Sequence, residues 1–151
     1  MPRFMFLIKA DPTAESVEAQ AQFPAQIFET MTRFNEEMAH AGILLAAEGF
    51  TPTAVDGYRI RYNPGGAEPH VTKGPFDVAK EDHVCGFWLV QTKDADEALS
   101  WAKKVPFPQG EIVVRRVSEC SELGDAFSAD LREREGKLRV KLGENRKAAG
   151  M

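Results

Sequence analysis

Apolar residues recur along this chain with two periods, and the places where the period changes mark its elements. Phe4 to Ile8 is a short continuous apolar run closed by Asp11-Pro12, which predicts a first strand leaving into a turn. A polar stretch, Thr13 to Gln22, separates it from Ile27, Met31, Phe34, Met38 and Ala41, which recur at spacings of four, three, four and three. That spacing predicts a helix with Pro24 in its first turn and Gly42 as its left-handed cap. Ile43 to Ala47 then reads as a strand or extended segment before Gly49 and Pro52.

Period two returns at Tyr58 to Tyr62, where aromatic and aliphatic groups share one face and Arg59 and Arg61 the other. A loop at Asn63 to Gly66 leads to a short extended piece, Pro69 to Lys73. His83 to Thr92 is the longest strand candidate and is apolar on both faces, Cys85, Phe87 and Leu89 against Val84, Trp88 and Val90. Asp94 and Glu97 have capping-box spacing, and Ala95, Ala98, Leu99, Ala102 and Val105 make a helical stripe that stops at Pro106. Glu111 to Val117 supplies the last strand. The order is β-α-β-β-α-β, the ferredoxin-like α+β plan with both helices on one sheet face. Two strands with large apolar residues on both sides leave the second face in need of a cover, and a symmetric sheet-to-sheet homodimer is the economical one.

Composition narrows the partners. The 151 residues are 43% hydrophobic and 28% charged, ordinary values for one globular domain and too few residues for two. A formal charge of −4 gives no reason to approach nucleic acid or an anionic membrane. The five-residue apolar run near the start is too short for a secretory core or a membrane span, so the expected location is cytoplasmic. Cys85 and Cys120 have no CxxC or histidine company, so no metal is expected and both read as reduced thiols. No dinucleotide, P-loop, HExxH or GxSxG motif occurs, and no cofactor is indicated.

GYRIRYNP, VTKGPF, GFWLVQTKDADEALSWAKKVP and GEIVVRRV, in that order and with FMFLIKAD as the first strand, resemble the YCII-related family in its DGPF form. The resemblance divides the chain into a YCII-related domain over 1–120 and a charged C-terminal extension over 121–151. It implies a dimeric α+β barrel, two ferredoxin-like units face to face with a cleft between sheet and loops. It also implies either a non-catalytic ligand-binding or regulatory dimer, or a cofactor-independent enzyme of isomerase, hydrolase or oxygenase type. The resemblance implies a pairing of an aspartate just after the first strand with a histidine on the first helix. Asp11 matches the former, but no histidine lies in the first half of that helix, and His40 stands at its far end. The acid before GPF is Lys73 here, a reversed charge.

Candidate chemistry gathers around the loop before His70. His70 is the candidate general base; Asp11, the other candidate catalytic residue, could pair with a histidine or bind substrate and could equally form a turn with Pro12, and Arg61 is placed to clamp a small organic acid or polar aromatic ligand. Lys73, Trp88 and Arg116 are the further candidate ligand-binding positions. His83, beside Asp82, reads as a strand-edge surface residue, and His40 as a helix-terminal cation. Residues 137–147 carry five basic residues against one acid and read as a short helix or frayed surface tail.

Overall fold

The first apolar run lies at the centre of a four-stranded antiparallel sheet in the computed structural model, which describes residues 1–150. β1 (Arg3–Lys9) pairs with β5 (Val84–Gln91) on one side and β6 (Ile112–Arg116) on the other. β2 (Leu44–Gly49) pairs with β5, which completes the order β2-β5-β1-β6. With α2 (Ala25–His40) after the first strand and α3 (Ala95–Ala102) before the last, this is the ferredoxin-like arrangement. Two pieces are added to it. A short helix, α1 (Val17–Ala21), capped by Ser16, occupies the stretch expected to be a polar connection. A hairpin of β3 (Tyr58–Arg61) and β4 (His70–Lys73) forms a separate two-stranded sheet between β2 and β5.

The pleat sorts the central strands. Phe4 and Phe6 of β1 stand opposite Val90 and Trp88 of β5, and these four pack with Phe34, Met38, Ile43 and Ala98 as the buried core under the helices. The Trp88 indole is edge-on to Phe34, and its N–H donates to Asn35 Oδ1 at 2.7 Å, so the one polar atom of the ring is satisfied inside the core. Met5, Leu7, Phe87, Leu89 and Val113 share the opposite face, pointing away from α2 and α3, and are half-buried.

Two packing expectations are corrected. Ile27 is 45% exposed and not part of the core stripe of α2, because the first turns of that helix overhang the sheet's end and line a cleft. Leu99 is likewise exposed; Trp101, 6.5 Å from Phe34, fills the core position instead. The two faces of β3 differ as its alternation predicts, and Arg59 is the residue whose side chain is largely covered. The Arg59 guanidinium pairs with Glu81 and lies 4.5 Å over the Phe76 ring, which leaves Tyr58, Ile60 and Tyr62 facing solvent. The α3 cap forms as expected on one side, the Glu97 amide donating to Asp94 Oδ1 at 2.8 Å. The Glu97 carboxylate, however, accepts from the Lys93 amide and not from Asp94's own.

Contacts divide the chain into one unit over residues 1–117 and a second from Ser118 onward. The second unit is built on α4 (Ala129–Ala148), 20 residues long and capped by Ser128, where only a short helix or tail was expected. It has no apolar stripe. Ion pairs one turn apart, Glu133 with Lys137 and Glu135 with Arg139, lie along it, and the Arg132 guanidinium donates to the carbonyls of Cys120 and Gly124. Among the described residues no helix is long and apolar enough to cross a membrane.

Candidate functional site

The end of the sheet beneath the start of α2 opens into a cleft of about 700 Å³. Its walls come from the last residues of β1 and the loop after it, α1, the first turns of α2, the end of β2, Cys85, and the segment between α3 and β6. Ile8, Phe23, Ile27, Phe28, Met31, Phe50 and Phe107 give those walls their apolar character. Ile27, Phe28 and Phe50 are each close to half exposed, an arrangement that withholds large apolar groups from the core and presents them to an open space.

Three formally charged residues reach the walls. Asp11 accepts a hydrogen bond from the Ala14 amide at 2.8 Å through Oδ1, the turn that Asp11-Pro12 predicts. Lys9 Nζ lies 3.1 Å from Asp82 and 3.3 Å from Glu111, and hydrogen bonds to these two carboxylates hold its pKa above the usual 10.5. Cys85 also lines the cleft, its thiol directed at the Ile8 carbonyl. Burial, reinforced by the Asp11 and Glu15 carboxylates, pushes that thiol above its ordinary 9.0, so it is a poor nucleophile at neutral pH.

Beside this cleft lies a polar cluster that joins three distant segments. Glu15 follows the cleft residue Ala14, and its side chain is only 9% exposed. One carboxylate oxygen accepts from His83 Nε2 at 2.9 Å; the other accepts from both the amide and the hydroxyl of Thr53, at 3.0 and 2.5 Å. Thr53 Oγ1 in turn accepts from the Phe76 amide. Gly57 and Gly74 permit this approach, since a Cβ on either would stand 2.5 or 2.1 Å from the Thr53 carbonyl oxygen. The glycine of the GPF motif is therefore required by the wall of this cluster. Burial acts to raise the Glu15 carboxyl, but the hydrogen bonds from Thr53 and His83 outweigh it and hold it below the usual 4.5.

His83 is engaged at both ring nitrogens, Nδ1 lying 3.2 Å from the Glu81 carbonyl and Nε2 facing Glu15. Both partners are oxygen acceptors, so a proton on either ring nitrogen has one within reach. This is a correction to the surface reading of His83: the side chain is 12% exposed, and its carboxylate is Glu15, while Asp82 binds Lys9. Glu15 and His83 are 68 positions apart, and nothing local in the sequence links them.

The six residues singled out from the sequence are not gathered in one place. Asp11 lines the cleft, and the other five do not. His70 is exposed at the start of β4, opposite Arg61, whose guanidinium pairs with Glu81. Lys73 is exposed opposite Tyr58, Trp88 is sealed in the core at 3% exposure, and Arg116 is exposed at the end of β6 opposite Phe4. The alternation that puts Trp88 under the helices also keeps it from any ligand on the cleft walls.

The family model for the YCII-related domain matches residues 2–121. The chain belongs to the YCII-related family. Its match spans the whole ferredoxin-like unit, the cleft, and the hairpin with its glycines, and ends before α4. No curated protein matches the chain.

Proposed function

We propose that this YCII-related protein binds a small organic molecule with an aromatic or branched apolar body, and that it does so without transforming it. The observation that carries the reading is the cleft: about 700 Å³, walled by apolar side chains exposed to it, with a few polar groups at fixed positions. The non-catalytic part is supported by the state of the nearby reactive groups. The Cys85 thiol is held protonated, and His83 has both nitrogens occupied by protein acceptors. A ligand-sensing or regulatory role fits a site whose nearest thiol and imidazole both face protein acceptors.

An enzymatic reading draws on the same neighbourhood, because a carboxylate and an imidazole at 2.9 Å are the parts of an acid-base pair. It requires His83 to release an acceptor when substrate enters, so it predicts that a bound molecule is turned over by the wild type and not by His83→Ala. The binding reading predicts that the wild type leaves the bound molecule unchanged.

We also propose that the protein forms a homodimer through the sheet face carrying Met5, Leu7, Phe87 and Leu89, since neither helix of the ferredoxin-like unit covers it.

A thermal-shift screen of aromatic small molecules tests the cleft. Hits on the wild-type chain should lose about tenfold or more in affinity in Phe28→Ala, since a buried phenyl ring contributes about 1.5–3 kcal/mol. Phe28 is 56% exposed, so its removal spares the fold. Hits indifferent to that substitution, or no hits at all, would remove the cleft as the site.

A further inference from the structure

The charges around the cleft select among ligands. We propose that the molecule it takes is an organic cation, an amine carried on an aromatic or branched apolar body, held with its ammonium at Asp11. This rests on the cleft being the binding site, as proposed above. An organic acid, one of the two ligand classes suggested by the sequence, finds no unengaged counter-charge there: Arg61 and Arg116 stand elsewhere, and among the described residues no arginine or histidine lines the walls.

The one cation of the walls, Lys9, is already engaged by two carboxylates, Asp82 and Glu111. Lys9, Asp11 and Glu111 together make the lining one charge negative, and adding Asp82 makes it two. A second anion brought into this field meets repulsion, and a cation meets attraction. Asp11 is oriented to use it. Oδ1 is fixed by the Ala14 amide, while Oδ2 has no hydrogen bond or ion pair among the described residues. Phenyl rings at Phe23, Phe28, Phe50 and Phe107 complete the pattern, since a ring face attracts a cation that an aliphatic wall would only desolvate. A carboxylate with one free oxygen amid aromatic side chains is the chemistry that recognises an ammonium group.

Three near-isosteric probes separate the charge from the shape: phenethylamine, phenethyl alcohol and phenylacetate, titrated into the full chain and followed by NMR. The amine should bind about tenfold or more tighter than phenylacetate, the scale of one charge-assisted hydrogen bond. In Asp11→Asn, which keeps a side-chain carbonyl for the Ala14 amide, the amine should fall to within about twofold of the alcohol, on the same principle that the charge supplied the difference. Glu111→Gln serves as a second variant, away from the turn, and should also reduce the amine's advantage. If the alcohol binds and phenylacetate binds as tightly as the amine, the charge inference falls while the cleft reading stands. If none of the three binds and the aromatic screen is also empty, the cleft reading falls and takes this inference with it.

Discussion

Replacing Glu15 with Gln changes one atom of the buried cluster and should cost the fold about 2 kcal/mol at neutral pH. In the native protein the carboxylate accepts from three donors, the Thr53 amide, the Thr53 hydroxyl and His83 Nε2, at 2.5–3.0 Å and with 9% exposure of the side chain. A glutamine can keep its carbonyl toward Thr53 and present its amide to a neutral His83, so the contacts survive without their charge. Hydrogen bonds to charged groups contribute about 1.5–3 kcal/mol against 0.5–1.5 for neutral ones, and not every bond is lost, which gives the figure of about 2. Glu15→Ala strands the Thr53 donors and should cost about 3–4 kcal/mol on the same grounds.

The pH dependence fixes the sign. Because the folded carboxyl titrates below its usual 4.5, Glu15 stabilises the protein above that value, and the contribution is lost as pH falls through the folded pKa. Urea denaturation at a series of pH values should therefore show the wild type and Glu15→Gln separated at pH 7 and converging on acidification. Hydrogen exchange gives the local counterpart: the Thr53 and Phe76 amides, protected by Glu15 and Thr53 in turn, should exchange faster in the variant. Equal midpoints at pH 7, or a gap that stays constant into acid, would refute the cluster as a charged latch.

Phe87→Asp should split the proposed homodimer while leaving a folded monomer, seen as half the wild-type mass in sedimentation equilibrium, and a wild type already at monomer mass would refute the dimer; the same change at Phe6, which is fully buried, should unfold the chain. Asn35→Leu leaves the Trp88 indole N–H unpaired beneath α2 and should cost about 1–3 kcal/mol by denaturation, with Trp88 fluorescence altered. Gly74→Ala should destabilise the hairpin segment, because its Cβ would sit 2.1 Å from the Thr53 carbonyl oxygen; unchanged exchange of the Phe76 amide would contradict that.

Much of the architecture was legible from the order of residues alone, and the reason is that its signals are local. The run Phe4 to Ile8, the stripe ending in Phe34 and Met38, and the doubly apolar strand around Trp88 state their periods within a few residues, and each became the element expected. The family motifs lie in the same stretches, and the matched range agrees with them. The alternation on β3 says that its two faces differ, but not which is covered: Glu81 and Phe76, which engage Arg59, come from a loop many residues away. The ion-paired α4 was underestimated because a helix held by charge pairs leaves no apolar period to read. The candidate site depended most on tertiary structure. Asp11 was visible as the acid after the first strand, yet its cleft is assembled from the overhang of α2, Cys85 and the segment before β6, and Glu15, Thr53 and His83 meet across separations that no spacing rule connects. Sequence alone determined the strands of the sheet and the two helices packed on it, because hydrophobic burial follows local period; the polar helices α1 and α4, and which side chains would share a site, were decided only by the folded chain, because hydrogen bonds and ion pairs depend on distance in space and leave no period behind.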